Sequence, residues 1–152
     1  MQNPLNNVGD VLELKTNNSV IRTVAPDTLV FDTVRMMNQH KIGSVVVAEN
    51  EHVLGIFTER DVLVRIVAAD LDPHTTRVAD VMTKDQICVP RSILAKDVMA
   101  KAVHKRCRHF PVVEGDRLIG LISIGDLMHL VSRDQAERID AGILAMRAVT
   151  GR

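Results

Sequence analysis

Tryptophan and tyrosine are absent from this 152-residue chain, and phenylalanine occurs only as Phe31, Phe57 and Phe110. A core must therefore be built from Val, Ile, Leu and Met. Neither sign of charge dominates: 19 Lys and Arg face 19 Asp and Glu, which leaves no global field for nucleic acid or an anionic membrane. No apolar run approaches the roughly 18 residues of a spanning helix. The first ten residues, MQNPLNNVGD, lack the basic n-region and apolar h-region of a signal peptide. Two cysteines, Cys88 and Cys107, form no metal or redox spacing, which predicts reduced thiols in a cytoplasmic setting. Catalytic signatures are missing too: no G-x-G-x-x-G, no G-x-x-x-x-G-K-[ST], no H-E-x-x-H and no nucleophile elbow. His40, His52, His74 and His129 are scattered, so the expectation is a protein that is not an enzyme.

What the chain does have is a repeat. Val8-Gly9-Asp10-Val11-Leu12 returns as Val78-Ala79-Asp80-Val81-Met82, and GSVVVAENEHVLGIFTERD is answered by RHFPVVEGDRLIGLISIGD at an offset of 65. Each copy reads as a short helix (8–14 or 78–83), a strand (19–24 or 86–89) and a helix capped by Thr28 or Ser92. Val30, Val34 and Met37 form that helix's apolar stripe, and Leu94 and Val98 begin its counterpart. Two strands follow (44–48 with 53–57, 110–113 with 118–122), joined by the polar turns ENEH and EGDR, and then a last helix. The fold class is α+β, with the order α-β-α-β-β-α given twice. A copy of about 60 residues buries only around 60% of its unfolded surface, so it is marginal alone. Two copies packed about an approximate two-fold solve that problem and leave two equivalent clefts between them.

Each last helix begins at the same kind of motif: Gly55-Ile-Phe-Thr58-Glu-Arg-Asp61 and Gly120-Leu-Ile-Ser123-Ile-Gly-Asp126. A single Thr-x-x-Asp before an apolar run is a capping box. Its recurrence at the same strand end points further, because strand ends feeding helix N-termini favour anionic ligands. A carboxylate there can accept two hydrogen bonds from a ribose diol, and a hydroxyl can bind phosphate or sugar oxygen. Capping and binding do not exclude each other.

The doubled order and the paired motif resemble a tandem pair of CBS domains (a Bateman module) of the stand-alone bacterial type, over roughly residues 8 to 130. RCRHFPVVEGDRLIGLISIGDL and KIGSVVVAENEHVLGIFTERDV carry the likeness most closely. The resemblance implies a regulatory module that senses an adenosine-containing ligand (AMP, ADP, ATP, NAD(H) or S-adenosylmethionine) in clefts between the repeats. It implies that Thr58, Asp61, Ser123 and Asp126 hold ribose and phosphate. It implies too that the base is flanked by Thr23, Val24, Ala25, Ile87, Cys88 and Val89, and by Ile42, Gly43, Ser44, Val45, Arg108, His109, Phe110 and Pro111. Arg60 in the first motif stands where the second has Gly125, so Arg60 and Arg108 are the expected phosphate contacts. The rival reading is a constitutive scaffold without ligand control. Family modules usually pair into a four-domain disk, which implies a homodimer acting on an unidentified regulated protein.

HKRCRH, residues 104–109, admits sharper readings. For nucleic acid it has no flanking aromatic but Phe110. For a metal, His104, Cys107 and His109 lack a fourth ligand. A helix-to-strand connection with phosphate-facing cations fits it best. Cys107 could be activated by Arg106 and Arg108, or be inert and partly buried, with Cys88 the more inert thiol. The expected boundaries are an N-terminal segment 1–16, a first repeat 17–70, a linker 71–77, a second repeat 78–131 and a helical extension 132–152. Ile139, Ile143 and Met146 give that extension an apolar stripe, for its own module or a dimer partner. Its basic residues are balanced by Asp134, Glu137 and Asp140, which weighs against membrane attachment.

Overall fold

The computed structural model describes residues 7–15 and 20–150; in the last helix the side chains at 134, 137–139 and 142–150 lie outside the description. The elements are α1 (Val8–Lys15), β1 (Thr23–Val24), α2 (Val30–His40), β2 (Ser44–Glu49), β3 (His52–Thr58) and α3 (Glu59–Asp61). A π-helical stretch, Val62–Val67, continues α3. Then come α4 (Val78–Val81), β4 (Val89–Pro90), α5 (Ala95–Lys105), β5 (His109–Glu114), β6 (Arg117–Ser123) and α6 (Ile124–Thr150). This is the expected order, written twice. The expected boundary at 131/132 falls inside α6, which runs through it without a break.

Each repeat holds a three-stranded sheet, β1-β2-β3 and β4-β5-β6, with the first pair parallel and the second antiparallel. Corresponding residues pair alike: Thr23 opposes Val46 as Val89 opposes Val112, and Ser44 opposes Thr58 as His109 opposes Ser123. Both hairpins close in two residues, and the positive φ such tight loops demand falls on Asn50 and Glu51 in one and Gly115 in the other. The hairpins also meet, with Leu118 N donating to Glu51 O at 2.9 Å.

The cores do not follow the repeat boundaries. Val8 and Val11 of α1 are buried with Val89, Val98, Phe110, Ile122 and Leu127, all from the second repeat. Val78, Val81 and Met82, at and after α4, are buried with Val30, Val45, Phe57 and Ile66 of the first. Each leading helix is thus exchanged onto the other repeat's sheet. Fully buried valines contribute about 1.5–3 kcal/mol apiece, so the exchange binds the two repeats into one folding unit.

The exchange explains both motif glycines. A Cβ on Gly55 would stand 2.5 Å from Met82 Sδ and 2.7 Å from Thr83 O, and one on Gly120 would stand 2.6 Å from Leu12 Cδ2. Only glycine lets the visiting segment approach that closely. Behind Gly55 the approach becomes a bridge: Ile56 N donates to Thr83 O at 2.9 Å, and Thr83 N to Ile56 O at 2.8 Å.

It also corrects the expected caps. The N-cap residues of α2 and α5 are Leu29 and Leu94, neither with a side-chain cap, so Thr28 and Ser92 do not cap with their hydroxyls. The α2 amides Val30 N and Phe31 N donate to the carbonyls of Thr76 and Pro73. Thr28 instead gives its carbonyl to Val78 N at 2.8 Å, while Val8 N and Gly9 N use the carbonyls of Ile93 and Arg91. Main-chain carbonyls satisfy these donors as well as a hydroxyl would. Val30, Val34 and Met37 do face the core, whereas Leu94 is extended and exposed, and the α5 stripe is Ala95, Val98 and Ala102. For the tail, the backbone is helical to Thr150, but Ile139, Ile143 and Met146 lie outside the described side chains.

Candidate functional site

Both motifs form complete capping boxes. Thr58 N donates to Asp61 Oδ2 at 2.8 Å, and Asp61 N returns to Thr58 Oγ1 at 3.4 Å. Ser123 N donates to Asp126 Oδ2 at 2.7 Å, and Asp126 N to Ser123 Oγ at 3.2 Å. In each, the hydroxyl also donates to the carboxylate, at 3.1 and 2.9 Å. Register adds a further tie, since Gly43 O accepts from Glu59 N and Arg108 O from Ile124 N, both at 3.0 Å. The start of the second strand is therefore held against the motif in each repeat.

Beyond the box the two ends diverge. Asp61 is 7% exposed. Its Oδ1 accepts from Thr83 Oγ1 at 3.4 Å and lies 3.6 Å from Arg65 Nε. Arg65 is held in turn by Val81 O and Met82 O, at 2.9 and 2.6 Å. The exchanged α4 segment thus covers the first motif's carboxylate. At the second motif the exchanged helix ends in Lys15, whose Nζ lies 2.8 Å from Asp126 Oδ2 and donates to Leu121 O at 3.0 Å.

Asp126 opens on a cleft of about 560 Å³, within the range of small-molecule sites. Its walls come from both repeats: Leu12 and Lys15 of α1, Val20 to Arg22 before β1, His40 of α2, and Ile42 to Ser44. Facing them are His109 and Ile119 to Leu121, with Ser123 and Asp126. Burial would raise the Asp126 carboxyl, but Lys15 and the Ser123 amide and hydroxyl outweigh it and hold the group below its usual value. Burial also pushes the His109 imidazole down; Asp126 and Glu59 oppose that, while Lys15 and Arg108 add to it.

Of the residues singled out in the sequence, Ile42, Gly43, Ser44, His109, Ser123 and Asp126 share this cleft. Val45, Phe110, Pro111 and Val89 are buried in the two sheets and do not line the cleft, and Ile87 packs on the second core. Thr58 is half-buried at the other motif. Thr23, Ala25, Arg60, Arg108 and Gly125 are exposed and do not line the cleft. Cys88 is exposed just before β4, the neighbouring protein shielding its thiol from water enough to push its pKa up, and Cys107 is half-buried with Sγ 3.7 Å from Lys105 O. Among the described residues, no three of His, Cys, Asp and Glu gather as a metal group. Lys15, Arg22 and His40 were not read from the sequence. Lys15 ends a helix that periodicity assigns to its own repeat, and Arg22 precedes a strand of two residues.

The CBS domain model matches residues 8–68 and 78–133, which is most of the chain. The chain belongs to the CBS-domain family. It is 36% identical to a CBS-domain containing protein of Agrobacterium tumefaciens, whose structure superposes with a TM-score of 0.75, covering 86% of this chain and 96% of that one. It is 34% identical over 125 residues to the mitochondrial CBS domain-containing protein CBSX3 of Arabidopsis thaliana, covering 77% of this chain and 61% of that protein. It is 32% identical over 131 residues to inosine-5′-monophosphate dehydrogenase of Methanocaldococcus jannaschii, covering 85% of this chain and 25% of the enzyme. The chain thus spans less than two thirds of these curated relatives. CBS pairs are generally regulatory rather than catalytic and bind adenosine-containing ligands. No helix among the described residues is long and apolar enough to cross a membrane.

Proposed function

We propose that this CBS pair is a regulatory module that takes an adenosine nucleotide in the cleft at Ser123 and Asp126 and passes its occupancy to a partner protein. The supporting observation is the make-up of that cleft. A capped carboxylate stands at one wall with Lys15, Arg22, His40 and His109 around it and with Ile21, Ile42 and Ile119 between them. Those groups suit a ribose diol, a phosphate and a base, respectively. AMP, ADP, ATP and NAD(H) all fit that description. Occupancy acts on a partner only through different affinities for two conformations, and α1 is the element best placed to differ. It carries Leu12 and Lys15 in the cleft and buries Val8 and Val11 in the second core. The working form is read as a homodimer in the cytoplasm.

The test is a thermal-shift panel of AMP, ADP, ATP, NAD+, NADH and S-adenosylmethionine on wild type, Asp61→Ala and Asp126→Ala. A ligand at 100 times its dissociation constant stabilises by about 2.7 kcal/mol. The expected result is a shift that survives Asp61→Ala and disappears in Asp126→Ala. No shift with any compound would overturn the reading in favour of a constitutive scaffold.

A further inference from the structure

The His109 imidazole is half-buried in this cleft and makes no side-chain hydrogen bond among the described residues. Strand register sets it opposite Ser123, the residue before α6, so it stands beside the end of a helix that favours an anion. Four charged groups act on the ring: Asp126 from α6, Glu59 from α3, Lys15 from α1 and its chain neighbour Arg108. Two are carboxylates and two are cations, so they oppose one another. Burial, the largest influence, then holds the imidazole pKa below its ordinary value and leaves the ring neutral at about pH 7. Arg22 and His40 line the same cleft, but Arg22 is exposed and His40 ends α2, where the helix carbonyls disfavour an anion. A phosphate entering beside His109 upsets this balance, because it adds negative charge and acceptor oxygens. A neutral imidazole can give it one hydrogen bond, whereas an imidazolium can give two with a charge behind them.

We propose that His109 binds the phosphate of the nucleotide as an imidazolium, so that a ligand entering this cleft brings a proton from water onto the ring. The coupling rests on the nucleotide reading above and deepens it, since the module then answers to pH and nucleotide together. A ring that holds its proton more tightly in the complex than in the free protein favours the complex as pH falls. Phosphate-bearing ligands therefore bind more tightly in mild acid, and adenosine, which has no phosphate, does not gain. The first repeat carries no such group. Its Ser44 opposes Thr58 as His109 opposes Ser123 and lines the same cleft, with a hydroxyl that does not titrate. The proton coupling belongs to the second repeat's wall alone.

Calorimetric titration of AMP, ATP, NAD+, S-adenosylmethionine and adenosine into wild type, His109→Asn and His40→Asn tests this. It is run from about pH 8.5 to about pH 5.5, across the range in which an imidazole titrates, with circular dichroism melts confirming folding at each pH. One charge-assisted hydrogen bond predicts that the affinity of wild type for the phosphate-bearing ligands rises about tenfold more over that range than the affinity of His109→Asn. Protons that the ligand itself takes up are common to both proteins and drop out of the comparison. His40→Asn should keep the rise, and adenosine should show the same pH dependence with wild type and His109→Asn. In proton NMR spectra the His109 ring signal, identified by its loss in His109→Asn, should titrate at higher pH with ligand bound than without. An equal rise in wild type and His109→Asn, a rise lost in His40→Asn instead, or a ring that titrates no higher in the complex would overturn the proposal. So would binding of S-adenosylmethionine or adenosine with none of the phosphate-bearing ligands. These outcomes leave the adenosine site standing, whereas no binding by any of the five at any pH removes the site and the coupling together.

Discussion

Replacing Gly55 with alanine should destabilise the protein by about 2–3 kcal/mol, although one methyl is all that is added. The figure follows from what that methyl meets. It would stand 2.7 Å from Thr83 O, a backbone atom, as well as 2.5 Å from Met82 Sδ. The sulfur can turn away, but the carbonyl is fixed by the two hydrogen bonds between Ile56 and Thr83. Withdrawing it forfeits or stretches bonds worth about 1 kcal/mol each. Gly120→Ala meets only Leu12 side-chain carbons, at 2.6 and 2.9 Å, and should cost less, about 1–2 kcal/mol. Gly125→Ala has only Ser123 Oγ at 3.5 Å and lies in the exposed first turn of α6, so it should be neutral or stabilise by about 0.5 kcal/mol. Urea midpoints and thermal melts of the three variants supply the comparison; for a chain of this size each kcal/mol moves the melting temperature by about 2–4 °C. A neutral Gly55→Ala, or an order in which Gly120→Ala costs more, would refute the exchange of α4 onto the first sheet. Gly120→Ala should also weaken nucleotide binding, because the displaced Leu12 lies in the cleft on the same helix as Lys15.

Asp61→Ala should cost about 2 kcal/mol through loss of the capping box and an unpaired Thr83 hydroxyl, with little more from Arg65, whose side chain is 43% exposed. Asp126→Ala should cost about 2 kcal/mol as well, through loss of its capping box and of the half-buried Lys15 pair, and should also abolish ligand binding; an unchanged urea midpoint would contradict that box and pair. Thr28→Ala should change stability by less than about 0.5 kcal/mol in the same melts, since its carbonyl and not its hydroxyl does the capping; a loss near 1 kcal/mol would restore the hydroxyl cap. Acid should act on the cleft in two steps. The native His109 pKa lies below that of the free imidazole, so the unfolded chain takes the proton first, and stability falls as pH drops from about 6.5 to the native value. The native Asp126 pKa is lowered, so its contribution is present above about pH 4 and is lost as pH falls through the native value. His109→Asn should remove the upper step from a plot of melting temperature against pH, and an unchanged profile would refute the assignment.

The repeat, the strand pairs and the capping boxes were legible because each rests on short-range pattern. Alternation gives β2 and β3, a two-residue polar turn gives the hairpin, and Thr or Ser three residues before Asp gives the box. The exchanged helices were not. Periodicity says that Val8 and Val11 need a partner but not which sheet supplies it, and the sequence order of helix and strands suggests the wrong one. The signal that could have found the exchange is the pair Gly55 and Gly120: a glycine at the same interior position of a strand in both copies marks close backbone approach. The difference between the motifs has the same origin. The two boxes are nearly alike, so what separates their carboxylates is the segment laid over each from the other repeat. Thr83 closes on Asp61 with a neutral hydroxyl, whereas α1 brings an ammonium to Asp126. Arg60 and Arg108 drew attention as cations adjacent in sequence to the motifs, yet both are exposed outside the cleft. The cations that do line it, Lys15 and Arg22, lie about a hundred residues away in the chain: the exchange of α1 brings Lys15, and the segment before β1 of the first repeat brings Arg22.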